Sequence, residues 1–149
     1  MSNIEVGQVL SLKIRFNNEG TVSTRNHPYL VIEVDDTFDV IEIAQIDSLA
    51  GKEYKAAFTS NKTIFCDDPQ ETVIDKDSYI QLDNTFRIEK FPEVVQFRRQ
   101  PDKLSPDKLA DVIEAYRKYH ETHSIDESKN VYMDKGELLR LNPLQLNLH

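Results

Sequence analysis

The chain has 149 residues, enough for one domain with a core of its own. Its 39% hydrophobic and 30% charged residues, with Ile, Val, Leu, Phe and Tyr spread along the length, argue against disorder. The formal net charge of −8, from 18 basic and 26 acidic residues, argues against a large nucleic-acid footprint while leaving room for a small basic site. Cys66 is the single cysteine, so no internal disulfide is available. No stretch is apolar and long enough to span a membrane or serve as a signal, and the expected setting is the cytoplasm, with no membrane partner.

Taken in order, residues 10–16 alternate apolar and polar, which predicts a strand with one face inward; Gly7 before it permits a turn that aims it. Asn17-Asn18-Glu19-Gly20 is turn chemistry. A polar loop, TVSTRNH, then runs into Pro28, which fixes its own φ and biases His27 toward extended backbone. The β-branched run 29–34 follows as a strand, Asp35-Asp36-Thr37 as a turn, and 38–46 as a second strand with apolar residues on both faces, as for a strand covered on two sides.

Further on, residues 54–58 read as weak strand or loop, 62–66 as a short strand, and Asp67-Asp68-Pro69-Gln70 as a turn. Residues 79–83, 85–88 and 94–97 are further strand candidates. Strands at this spacing, with turns between them, predict a mainly β domain, a small barrel or sandwich. One amphipathic helix closes it. Ser105 is its N-cap, Pro106 stands at the first helical position, Asp107 lies in the first turn, and Leu109, Val112, Ile113 and Tyr116 form an apolar stripe, to about His120. Beyond residue 124 the chain becomes a polar linker. Asp134 then caps a short helix to Leu141, with Glu137 at the capping-box position, and Pro143 ends it. The expected division is a domain over 1–124 and a C-terminal extension over 125–149.

There is no glycine-rich phosphate loop, since the four glycines are scattered. His120 and His123 have a spacing that two metal ligands can use, but with one thiol and no further motif they read as helix-end histidines, and neither metal nor cofactor is expected. Cys66 reads as a structural cysteine. What remains is one sheet end. If strands 29–34 and 38–46 are antiparallel neighbours, Arg25, His27, Asp47 and Ser48 meet there. They offer a cation for a phosphate, a proton-exchanging ring and a hydroxyl. The same set also reads as an Arg25–Asp47 salt bridge that stabilises a hairpin.

The order of features carries a resemblance. Gly7-Gln8-Val9-Leu10 opens a first strand, a basic residue precedes Pro in a polar loop, and PYLVIEV follows. A second strand ends at Asp47-Ser48, Asp77-Ser78 leads into YIQLDNTFRI, and Lys103-Leu104-Ser105 introduces the last helix. Over residues 5–120 this resembles the PemK/MazF toxins of bacterial toxin–antitoxin systems. The resemblance implies an SH3-like β-barrel with a C-terminal helix, a homodimer, and metal-independent endoribonuclease cleavage of single-stranded RNA through the substrate's own 2′-hydroxyl. It also implies an antitoxin protein partner whose disordered segment folds on binding. It assigns Arg25, His27 and Ser48 to catalysis, with Thr24, Asn26 and Asp47 beside them in substrate binding. His27, rather than Arg, directly precedes Pro28, and Asp47-Ser48 stands where the family carries Thr-Ser. The alternative is a PemK-like barrel without catalysis that binds protein or nucleic acid; an amphipathic-helix assembly module is a third reading.

Overall fold

The computed structural model describes residues 3–66, 73–74, 76–100, 102–124 and 131–144. Among them, β1 (Val9–Leu12), β2 (His27–Asp35), β3 (Val40–Ser48), β4 (Asn61–Ile64), β5 (Ser78–Glu89) and β6 (Tyr132–Met133) form one sheet. The order is β1-β2-β3-β5-β4, all antiparallel, and β6 pairs with β5 in parallel. The sheet curls into a half-barrel. Helices α1 (Pro106–Thr122) and α2 (Lys135–Leu141) and two 3₁₀ turns, Glu53–Ala57 and Pro92–Phe97, complete the described chain. With about 34% strand and 27% helix, the class is mixed α/β, not mainly β.

Both faces of the sheet are covered, and the period-two alternation decides which residue faces which side. Leu10, Leu12, Tyr29, Val31, Ile41, Ile43, Phe86 and Ile88 bury into one cluster. Val9, Leu30, Ile32, Ala44, Ile46, Ile80 and Leu82 bury into the other. A bulge between Val31 and Glu33 changes the parity of β2, so that Val34 packs against the first cluster opposite Ile41. Helix α1 lies on the second face. Val112 is fully buried there, and Leu109, Ile113 and Tyr116, the rest of the stripe that the spacing predicts, pack against the same cluster, as does Tyr119. Full burial of such a side chain stabilises by about 2 kcal/mol.

The first face is closed by Phe91, Val94 and Phe97 of the second 3₁₀ segment and by Val131, Met133 and Leu138. The segment 131–144 thus shares the core of β1, β2, β3 and β5. Arg15 binds it further through Glu137, at 2.7 Å. Asp134 caps α2 by accepting from Glu137 N at 2.8 Å, while the Glu137 carboxylate turns to Arg15 instead of closing the capping box.

Three expectations change. Residues 94–97 form a 3₁₀ turn, not a strand: Pro92 removes a ladder donor, and Val94 and Phe97 bury together at a spacing of three. Residues 54–57 are likewise 3₁₀, within the turn Glu53–Ala57, none of whose residues is buried, and Phe58 caps it in extended backbone. The first strand stops at Leu12, and Arg15 bridges to Val22 in the hairpin that follows. The expected turn at 67–70 and most of the linker, 125–130, lie outside the described residues.

Candidate functional site

The antiparallel pairing of β2 and β3 puts the start of one beside the end of the other. Tyr29 stands opposite Gln45, and His27 and Asp47 each lie two residues further along on the same face. Leu12 pairs with His27 on one side, and Asp47 pairs with Tyr79 on the other. The ends of β1 and β3 and the starts of β2 and β5 therefore converge at one rim of the half-barrel.

The loop that leads into this rim is built before it arrives. Asn17 Oδ1 accepts from Glu19 N at 3.0 Å and Thr21 N at 3.3 Å. Ser23, buried, accepts from Ile14 N and donates to Ile14 O, both at 3.1 Å. Thr24, Arg25 and Asn26 then stand exposed, and His27 is half-buried as β2 begins. Among the described residues, the Arg25 and His27 side chains have no hydrogen-bond or ion-pair partner, so the expected Arg25–Asp47 salt bridge is not formed. Asn26 turns to the β1 edge, where with Ser11, Lys13, Gln96 and Phe97 it lines a groove of about 430 Å³.

Asp47 is held by neutral groups. Its Oδ2 accepts from Gln45 Nε2 at 3.3 Å, from Tyr79 Oη at 3.4 Å and from Gln81 Nε2. Asn84 Nδ2 closes the ring by donating to Gln45 Oε1 at 3.1 Å and Gln81 Oε1 at 3.0 Å. Asn84 gets there because the β3–β5 register shifts: Ala44 faces Thr85, but Ile46 faces Ile80, and the additional β5 residues between them bulge. Lys55 Nζ stands 6.0 Å from the Tyr79 ring centroid. Burial pushes the Tyr79 hydroxyl up, and the Asp47 charge adds to it. Below the ring of amides, Tyr29 is fully buried, with its hydroxyl unpartnered and its ring edge-on to Phe86 at 6.0 Å. Burial first, and then Asp47, pushes that hydroxyl up to about 12.

Ser48 does not join this set. Alternation turns it to the face opposite Asp47, and its Oγ accepts from Ala50 N at 3.2 Å, which tightens the turn after β3. The rim therefore brings together His27 and Asp47, with Arg25 on the loop beside them, and leaves Ser48 behind. Tyr79, Gln81, Gln45, Asn84 and Lys55 were missed from sequence. The signal was available for Gln45 and Gln81, since polar residues continue the inward parity of Ile43 and Tyr79. For Asn84 and Lys55 there was none.

A second polar cluster lies under α1. Glu42, on β3, is 6% exposed. It accepts from the Tyr116 hydroxyl and from Arg87 Nε at 3.2 Å. Burial, and then the carboxylate it donates to, pushes the Tyr116 hydroxyl up. His120 lies tilted against Tyr116, with ring centroids 4.2 Å apart, and bonds the Leu82 carbonyl at 2.8 Å, while His123 stacks on Tyr119 at 4.1 Å. The two histidines are thus engaged with the helix and sheet, and no group of metal-ligating residues gathers among the described residues. Cys66 is half-buried and its thiol donates to the Ile74 carbonyl at 3.3 Å. No described helix is long and apolar enough to cross a membrane.

No protein-family model matches the chain, and a search of curated proteins finds no significant match.

Proposed function

We propose that the chain is a PemK/MazF-like endoribonuclease that cleaves single-stranded RNA at the β2–β3–β5 rim without a metal. The observation that carries this reading is the pairing of two unengaged groups, Arg25 and His27, with a carboxylate–amide network two strands wide. In the reaction, the substrate's 2′-oxygen attacks the neighbouring phosphorus and the bond to the 5′-oxygen breaks. A 2′,3′-cyclic phosphate and a free 5′-hydroxyl result, and the proton lost by the 2′-hydroxyl balances the one gained by the leaving oxygen. Arg25 stabilises the charge on the phosphoryl oxygens, and the His27 ring takes or returns the proton. Asp47, engaged by three donors, fixes the Gln45 and Gln81 amides that face the substrate. Thr24 and Asn26 flank the entering strand. A homodimer and an antitoxin that folds onto the toxin go with this reading.

The second reading is a barrel that binds RNA or protein at the same rim without cutting. It is favoured by Ser48, which faces away, and by Asp47, an anion where a phosphate must pass. One assay separates the two. The purified chain, in excess chelator, is incubated with a long single-stranded RNA and its DNA counterpart. Cleavage of the RNA alone, with cyclic-phosphate ends, is expected. Arg25→Ala should lower the rate by about 10²- to 10³-fold, the usual cost of removing one charge-stabilising donor. A folded protein that leaves every long single-stranded RNA intact refutes the nuclease and leaves the binding barrel.

A further inference from the structure

The 3₁₀ turn Glu53–Ala57 contributes no buried residue to the core, yet the segment carries two aromatic rings. Tyr54 is 64% exposed and Phe58 49% exposed. They meet edge to face, with centroids 6.1 Å apart and planes at 74°. The backbone beneath them is tied down: Lys55 N bonds Lys52 O at 2.9 Å, Phe58 N bonds Lys55 O at 3.2 Å, and Asn61 Nδ2 of β4 bonds Lys55 O at 3.0 Å. Exposed aromatics on a fixed turn that they do not help to pack mark a contact surface.

The turn also abuts the proposed site. Lys55 projects over the ring of Tyr79, whose hydroxyl donates to Asp47. In sequence the two rings are flanked by Lys52, Glu53, Lys55, Thr59 and the small Ala56 and Ala57, with no aliphatic side chain larger than alanine among them. Lys52 and Lys55 outnumber Glu53 in a chain whose net charge is −8. Exposed rings with cations beside them suit a polymer of bases and phosphates.

We propose that Tyr54 and Phe58 form a base-stacking platform that receives single-stranded RNA on one side of the rim, with Lys52 and Lys55 meeting its phosphates. The nature of the polymer rests on the RNA reading above. Bases stack on the two rings, and the backbone passes over Lys55 toward Arg25 and His27. Stacking accepts any base, so the platform supplies affinity rather than sequence choice.

The test uses a 5′-labelled single-stranded RNA with every 2′-hydroxyl methylated, which can bind but cannot be cut, followed by fluorescence anisotropy at low salt. The full chain should bind it. Tyr54→Ala and Phe58→Ala should each weaken binding about tenfold, and Tyr54→Phe should keep it. Lys55→Ala should reduce the slope of log affinity against log salt by about 0.7. Far-ultraviolet circular dichroism should not change, since both rings are exposed. Alanine variants that bind as the parent does, or a parent that does not bind, overturn the platform. So does a substitution that converts a dimer to a monomer in sedimentation, which makes the ring pair a subunit contact. Cleavage of natural RNA with affinity indifferent to Tyr54 and Phe58 overturns the platform alone. Ring-dependent binding without cleavage supports the platform and removes the nuclease.

Discussion

Replacement of Tyr116 by Phe should destabilise the chain by about 2 kcal/mol. The Tyr116 hydroxyl donates to Glu42, a carboxylate with little contact with water. Hydrogen bonds to charged groups contribute about 1.5–3 kcal/mol net, and removal of the donor leaves the carboxylate's desolvation uncompensated. The other donor, Arg87, has a side chain 57% exposed, so its pair with Glu42 is screened and contributes less than about 1 kcal/mol. Tyr116 is itself half-buried, so water can partly replace its hydroxyl, which holds the figure near the lower end of that range. For a chain of this length the loss should lower Tm by about 4–8 °C. Urea unfolding followed by circular dichroism should show a lower midpoint with an unchanged slope, since no compactness is lost. A cycle with Glu42→Gln should give a coupling of about 1 kcal/mol or more. Agreement of Tyr116→Phe with the parent to within about 0.5 kcal/mol would refute the role of this bond as the pin between α1 and the sheet.

The same titrations should follow pH. Tyr29 and Tyr116 have folded-state values raised above the ordinary 10.0, Tyr29 to about 12. Their stabilisation is present in full below pH 10 and is lost as the pH rises toward 12, with Tyr29 accounting for about 3 kcal/mol. Tyr29→Phe should flatten the alkaline limb, and a urea midpoint constant from pH 8 to 11.5 would sink the argument. Gly7→Ala should cost about 2 kcal/mol or more. Gly7 holds φ at +98°, and an added Cβ would lie 2.9 Å from Leu109 Cδ2 of α1. A stability equal to the parent's would mean that α1 yields at little cost.

How much was legible in the sequence followed from how local each cause is. Pro28 sets the entry to β2, and Ser105-Pro106 opens α1, because each acts on its own backbone and the next residue or two. The β2–β3 pairing was legible because a short turn leaves an antiparallel neighbour as the simple solution. Successive strands closed by an amphipathic helix were legible from spacing, whereas their mixed α/β class and half-barrel closure were not, and residues 92–97 misled because β-branched Val94 and Val95 outweighed the proline before them. The network around Asp47 depends on a register shift that brings Asn84 to Gln45, and no local pattern encodes that. The contact between Glu42 and Tyr116, 74 positions apart, depends on where α1 packs and has no local signal. Arg15 and Glu137, 122 positions apart, could not be paired from sequence at all.

Coverage of both sheet faces narrows where chemistry can occur. Among the described residues, α1 covers one face of the sheet and the segments 91–97 and 131–144 the other, which leaves the strand ends and connecting turns of the rim open to a ligand. At the rim the charges are divided by kind of support. The anion, Asp47, sits on a strand and is held by neutral donors, while the cation, Arg25, sits on a loop and is held by none. The strand group therefore keeps its position when a substrate arrives, and the loop group is the one able to adjust. In a phosphate-handling site this division has a physical use. If the rim handles phosphate as proposed, Asp47 would direct its charge into the Gln45 and Gln81 amides, so its repulsion of a phosphate would be weaker than that of an unengaged carboxylate. Arg25 would meet that phosphate without first giving up a partner among the described residues.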